Sequence, residues 1–77
     1  MERDPKTDPR PGDVLRKNTG PLMMEATVKL RGGRVQYELV QPRSPRLMDR
    51  MPLLCMTTIS QWRKWAARAT VVKRGDE

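Results

Sequence analysis

The chain is 77 residues long, carries sixteen Lys and Arg against nine Asp and Glu, and contains one cysteine and no histidine. That length gives one domain whose core is too small for a wide stability margin. The missing histidine removes the usual general base, the commonest metal ligand and the Ser-His and Cys-His nucleophile pairs, and a single thiol forms neither an internal disulfide nor a zinc site.

Residues 1–11 hold Pro5, Pro9 and Pro11 among Arg3, Asp4, Lys6, Asp8 and Arg10. Met1 is their one strongly apolar side chain, so they read as a disordered arm, with a domain over 12–74 and a frayed tail over 75–77. Glu2, Asp4 and Asp8 nearly cancel the arm's positive charge. Gly12-Asp13-Val14-Leu15-Arg16-Lys17 then reads as a first strand, with Asp13 capping a turn at its start. Gly20-Pro21-Leu22-Met23 reads as a tight turn into a second strand.

From Met24 the alternation is clean. Met24, Ala26, Val28 and Leu30 share one face of a half-buried strand, and Glu25, Thr27, Lys29 and Arg31 share the other. Gly32-Gly33 predicts a two-residue hairpin turn of a primed type, with positive φ angles. Val35, Tyr37 and Leu39 alternate with Arg34, Gln36 and Glu38 on the returning strand.

Residues 41–50 contain Pro42, Pro45, Arg43, Arg46 and Arg50 and read as an exposed loop. Met51 to Met56 is a short apolar run, expected as a buried strand entered through Pro52. Cys55, between Leu54 and Met56, is expected as a small buried hydrophobe. Thr57 or Thr58 can cap a helix from about Ile59 to Arg68. Ile59, Trp62, Ala66 and Ala69 share its apolar face, Trp65 lies on the flank, and Ser60, Lys64 and Arg68 point away. Thr70-Val71-Val72-Lys73 reads as a closing strand. The fold class expected is mainly β: a small SH3-like barrel of about five strands with one short helix before the last. Val14, Val28, Tyr37, Leu39, Ile59, Trp62 and Val71 are expected inside.

The opening Gly12-Asp13-Val14-Leu15-Arg16, with Gly20-Pro21-Leu22-Met23 after it, resembles the small bacterial YodC-like proteins. Val35-Gln36-Tyr37-Glu38 stands where that family has a tryptophan-bearing central strand. The end of the chain, with Met56, Trp62 and Val71-Val72, is similar to other small barrel domains of bacteria and phages. Both resemblances imply an SH3-like barrel, and neither implies a reaction.

Chemistry is sparse. Gly20, Gly32 and Gly33 form no phosphate-binding loop, and Asp13, Glu25, Glu38 and Asp49 are scattered singly. The expectation is therefore a non-enzyme without cofactor or metal. No apolar run approaches the roughly 20 residues that span a bilayer, and the N-terminus lacks a signal-peptide core, so a cytoplasmic protein without membrane contact is expected. Eleven of the sixteen cations are arginine, whose planar fork matches phosphate and carboxylate. The favoured partner is nucleic acid, contacted at phosphates by Arg31, Arg34, Arg43, Arg46 and Arg50 with low sequence specificity. Lys64 and Arg68 flank Trp65, which either stacks on a partner or serves with Trp62 as a lid on the barrel. The alternative is a protein-interaction module, such as an accessory or inhibitor protein of a phage or mobile element, docking an acidic surface. Homodimerisation through an unpaired barrel strand is compatible with both. Of the six methionines, Met48 and Met51 lie beside the basic loop and are candidates for an adaptable binding surface.

Overall fold

Alternation in the middle of the chain builds the centre of a sheet, and the flanking segments extend it on both sides. The computed structural model describes residues 4–19 and 22–75; the expected Gly20-Pro21 turn, residues 1–3 and the last two residues of the tail lie outside them. Five strands run Val14–Thr19 (β1), Leu22–Arg31 (β2), Arg34–Val40 (β3), Leu53–Thr58 (β4) and Thr70–Lys73 (β5). A 3-10 turn covers Leu47–Arg50, and one helix, α1, covers Ile59–Ala66 between β4 and β5. All strand pairs are antiparallel in one five-stranded sheet of order β4-β3-β2-β1-β5, a meander from β1 to β4 in which the last strand returns to pair with the first. No helix among the described residues is long and apolar enough to cross a membrane.

Register explains which side chains reach the core. Leu15, Ala26 and Leu39 lie opposite one another across β1, β2 and β3, as do Val28 and Tyr37 on β2 and β3. The core is Leu15, Ala26, Val28, Val35, Trp62, Ala66 and Ala69, with Tyr37, Leu39, Ile59, Trp65 and Val71 packed against it. Leu15 therefore takes the inward position expected of Val14, which sits opposite Thr27 on the outer face and is half-buried. Leu30, expected on the core face, differs too. The register shifts between Val28 and Leu30, and that irregularity inverts the alternation, so Leu30 pairs with Gln36 on the outer face and is exposed. The hairpin tip differs too: neither Gly32 nor Gly33 has a positive φ, and the turn is closed by the Gly32 N–H donating to the Arg34 carbonyl at 3.1 Å.

Thr58 caps α1, its hydroxyl accepting from the Gln61 N–H at 3.2 Å, and the helix ends at Ala66 rather than Arg68. Trp62 sits at its centre, 1% exposed, edge-on to Tyr37 and tilted against Trp65. Residues 4–11, expected as part of a disordered arm, are instead folded into turns against the helix. The Trp62 Nε1–H donates to the Pro5 carbonyl at 3.0 Å, Arg63 Nε donates to the Thr7 carbonyl at 3.0 Å, and Pro5 and Pro9 are buried. Proline rings lose little entropy on ordering, and the indole supplies the hydrogen bond that holds them. Asp13 caps the turn before β1 as expected, accepting from the Arg10 N–H at 2.7 Å; its other oxygen accepts from the Gly75 N–H at 2.7 Å, which ties the expected tail to the domain.

Candidate functional surface

Strand β4 departs most from expectation. The run Met51 to Met56 was expected to be buried, yet Leu53 is 64%, Leu54 59% and Met56 61% exposed, and Met48 before it reaches 82%. Register gives the reason. Leu53, Cys55 and Thr57 lie opposite Leu39, Tyr37 and Val35 on the core side, while Leu54, Met56 and Thr58 lie opposite Glu38, Gln36 and Arg34 on the outer side. β4 forms an edge of the sheet, so its outer-facing side chains have neighbours on one side only, and Leu53 lies at the strand end farthest from α1. An apolar run without alternation suits a strand buried on both faces, but here it lies at the rim.

Cys55 is half-buried rather than enclosed. It faces Tyr37, whose hydroxyl is pushed above its ordinary range first by burial and then by the thiol beside it. At the start of β4 a hollow of about 330 Å³ opens between Met24, Leu39, Met48, Met51 and Leu53. At its other end a smaller hollow of about 220 Å³ is lined by Arg34, Met56, Thr57, Thr58 and Gln61.

The expected cationic residues do not form one surface. Arg31 and Arg34 flank the β2–β3 tip, whereas Arg43, Arg46 and Arg50 lie beyond the other end of β3, a strand roughly 20 Å long. Arg31 is further engaged, donating to the Gly32 carbonyl and lying 4.0 Å from Asp8. Arg34, Arg43, Arg46 and Arg50 make no ion pair among the described residues. In the loop, Asp49 accepts from the Ser44 hydroxyl at 2.9 Å. Arg43 borders a cleft of about 410 Å³ with Arg16, Asn18, Gln41 and Ser44. There Arg16 Nη2 reaches Glu25 at 3.0 Å, and its buried Nε has no acceptor among the described residues.

Lys64 and Arg68 are exposed, on α1 and just past its end. Trp65 is half-buried: one side meets Trp62, and Lys17 Nζ lies 5.2 Å above its ring while donating to its carbonyl at 3.2 Å. A cation already covers the ring, so Trp65 sits closer to the lid arrangement than to a free stacking platform. Sequence reasoning missed the apolar surface of Leu53, Leu54 and Met56. The signal present was the absence of any charged residue between Arg50 and Arg63, because a run that long without charge leaves an edge strand unguarded. No family model, curated protein or solved structure matches this chain.

Proposed function

We propose that this protein is a non-enzymatic interaction module that docks a protein partner on the apolar surface of β4 and the loop before it. One observation carries the reading: Met48, Met51 and Leu53 are exposed around one hollow, and Leu54 and Met56 are exposed on the outer face of the same strand, which among the described residues pairs on one side only. Contiguous exposed apolar surface on a small domain marks an interaction site, and methionines suit one that adapts to its partner. The cations, split between the two ends of β3, rim that surface rather than forming a continuous phosphate track.

A second reading, contact with nucleic-acid phosphates, is favoured by a different observation: Arg43, Arg46 and Arg50 crowd one loop without carboxylate partners among the described residues. Capture of partners by the tagged chain, with and without nuclease, separates the two. Nuclease-resistant capture that is lost in a Met51→Ser/Leu53→Ser variant supports the protein-docking reading. Capture that nuclease abolishes, and that Arg43→Glu/Arg46→Glu/Arg50→Glu removes while the serine variant keeps it, transfers the function to nucleic acid. Affinity for nucleic acid would then fall with salt at a log–log slope of roughly −0.7 to −0.9 per phosphate contact.

A further inference from the structure

We infer that the partner adds an extended strand to the free edge of β4, and that this segment is apolar with an acidic residue placed to meet Arg34. The inference rests on the docking reading above and specifies how the same surface is used.

Among the described residues β4 pairs with β3 on one side and with no strand on the other, so alternate residues over Leu53–Thr58 turn their N–H and C=O groups away from the sheet. Edge strands are ordinarily blunted by lysine, inward charge or proline within the strand, and β4 has none of these: its sequence is Leu-Leu-Cys-Met-Thr-Thr. Pairing with an added strand satisfies those groups and covers Leu54 and Met56 in one step.

Charge then selects the occupant. Arg50 precedes the strand, Arg34 lies opposite Thr58 at its far end, and neither has an ion-pair partner among the described residues. The neighbouring carboxylates are engaged, Glu38 with Lys29 at 3.8 Å and Asp49 with Ser44. A second copy is a poor occupant. Antiparallel pairing of β4 with itself brings the Thr58 end of one copy to the Leu53 end of the other, setting Arg34 near the partner copy's loop cations, and each chain carries a net charge of +7. An acidic segment turns that repulsion into attraction.

The two hollows set the spacing. The apolar one lies beside Leu53 and the one bordered by Arg34 lies beside Thr58, about 17 Å apart at the rise of an extended strand. The added segment therefore carries an apolar anchor and a carboxylate about five positions apart.

The test uses the full chain and two blocked peptides of about nine residues with Thr/Val alternation. Each has a leucine, with a glutamate or a lysine about five positions away. Amide exchange in Leu53–Thr58 and peptide affinity are read together. The expected result is slowed exchange at alternate β4 amides, with the glutamate peptide bound about tenfold more tightly at low salt and the gap narrowing as salt rises. Arg34→Glu should reverse the preference, and Met56→Lys, an exposed change that leaves the core alone, should weaken both peptides. Unchanged β4 exchange at millimolar peptide overturns the inference, as does slowing that ignores the Glu-to-Lys swap. A dimer that Met56→Lys dissolves also overturns it by making a second copy the occupant. If nuclease-resistant capture still depends on Met51 and Leu53 while β4 amides stay unprotected, strand addition fails and the docking surface stands. If capture itself is absent, the docking reading fails.

Discussion

Trp62 links the helix, the sheet and the N-terminal turns, so a substitution there can be read against a deletion elsewhere. Trp62→Phe keeps an aromatic ring in the core but removes the N–H that donates to the Pro5 carbonyl at 3.0 Å. Losing that bond costs about 1 kcal/mol net, and stranding the Pro5 carbonyl and leaving a small gap adds about 1–2 kcal/mol. The expected loss is thus about 2–3 kcal/mol, against about 4–12 kcal/mol for a domain this size. Trp62→Ala, at about 3–5 kcal/mol, removes the whole margin at the lower end of that range. The decisive measurement repeats Trp62→Phe in a chain lacking residues 1–9, with urea unfolding followed by far-ultraviolet circular dichroism. With Pro5 gone, the indole N–H has nothing to lose, so the substitution should cost about 1–2 kcal/mol less there than in the full chain. A cost that is the same in both backgrounds, within about 0.5 kcal/mol, means that the turns do not hold Trp62 and refutes their assignment to the folded unit.

Asp13→Asn replaces a carboxylate that accepts from two backbone N–H groups with an amide whose NH₂ faces one of them; a loss of about 2–3 kcal/mol is expected in the same assay. Met56→Lys should shift stability by less than about 0.5 kcal/mol, because the side chain is exposed, and a loss of several times that would return β4 to the core. Tyr37 is the chain's one tyrosine, so alkaline absorbance follows it alone, and its midpoint should lie above 10.0. Its folded-state pKa is raised, so its contribution to stability is complete below about pH 10 and is lost as pH rises through the folded midpoint. A midpoint at or below the unfolded value would contradict the burial of Tyr37.

Where side-chain period carried the information, the sequence was readable. Ala26, Val28, Val35, Tyr37 and Leu39 fall on the core side because strict alternation admits only one face, and Thr58, Trp62 and Ala66 follow from cap and helical period. The failures have separate physical causes. A local register shift after Val28 inverted Leu30, and nothing in its alternating neighbours announces it. The run from Leu53 to Met56 has no period, so its burial depended on whether another strand or a helix covered it, which is a tertiary fact. Residues 4–11 looked too polar to order, yet their anchoring groups are backbone carbonyls, present at every position and invisible in composition. Of the candidate site residues, Arg43, Arg46 and Arg50 occupy the exposed loop their prolines suggested. Trp65 could not be placed from sequence because Lys17, which covers its ring, lies on β1 and meets it only through the fold.

The clasp at Asp13 also gives the molecule a particular way of being attached to other things. Gly12, at φ +94°, lies so close to Gly75 that a Cβ on it would sit 2.9 Å from the Gly75 Cα, and a Cβ on Gly75 would overlap the Pro11 carbonyl oxygen. Only glycine at both positions permits this approach. The polypeptide therefore enters and leaves its β-sheet at a single point, like a loop tied at the neck. The exposed Gly32-Gly33 tip is the place to lengthen the chain, because side chains added there meet nothing within 4 Å. An insertion at that tip would leave both the neck and the N-terminal turns in place.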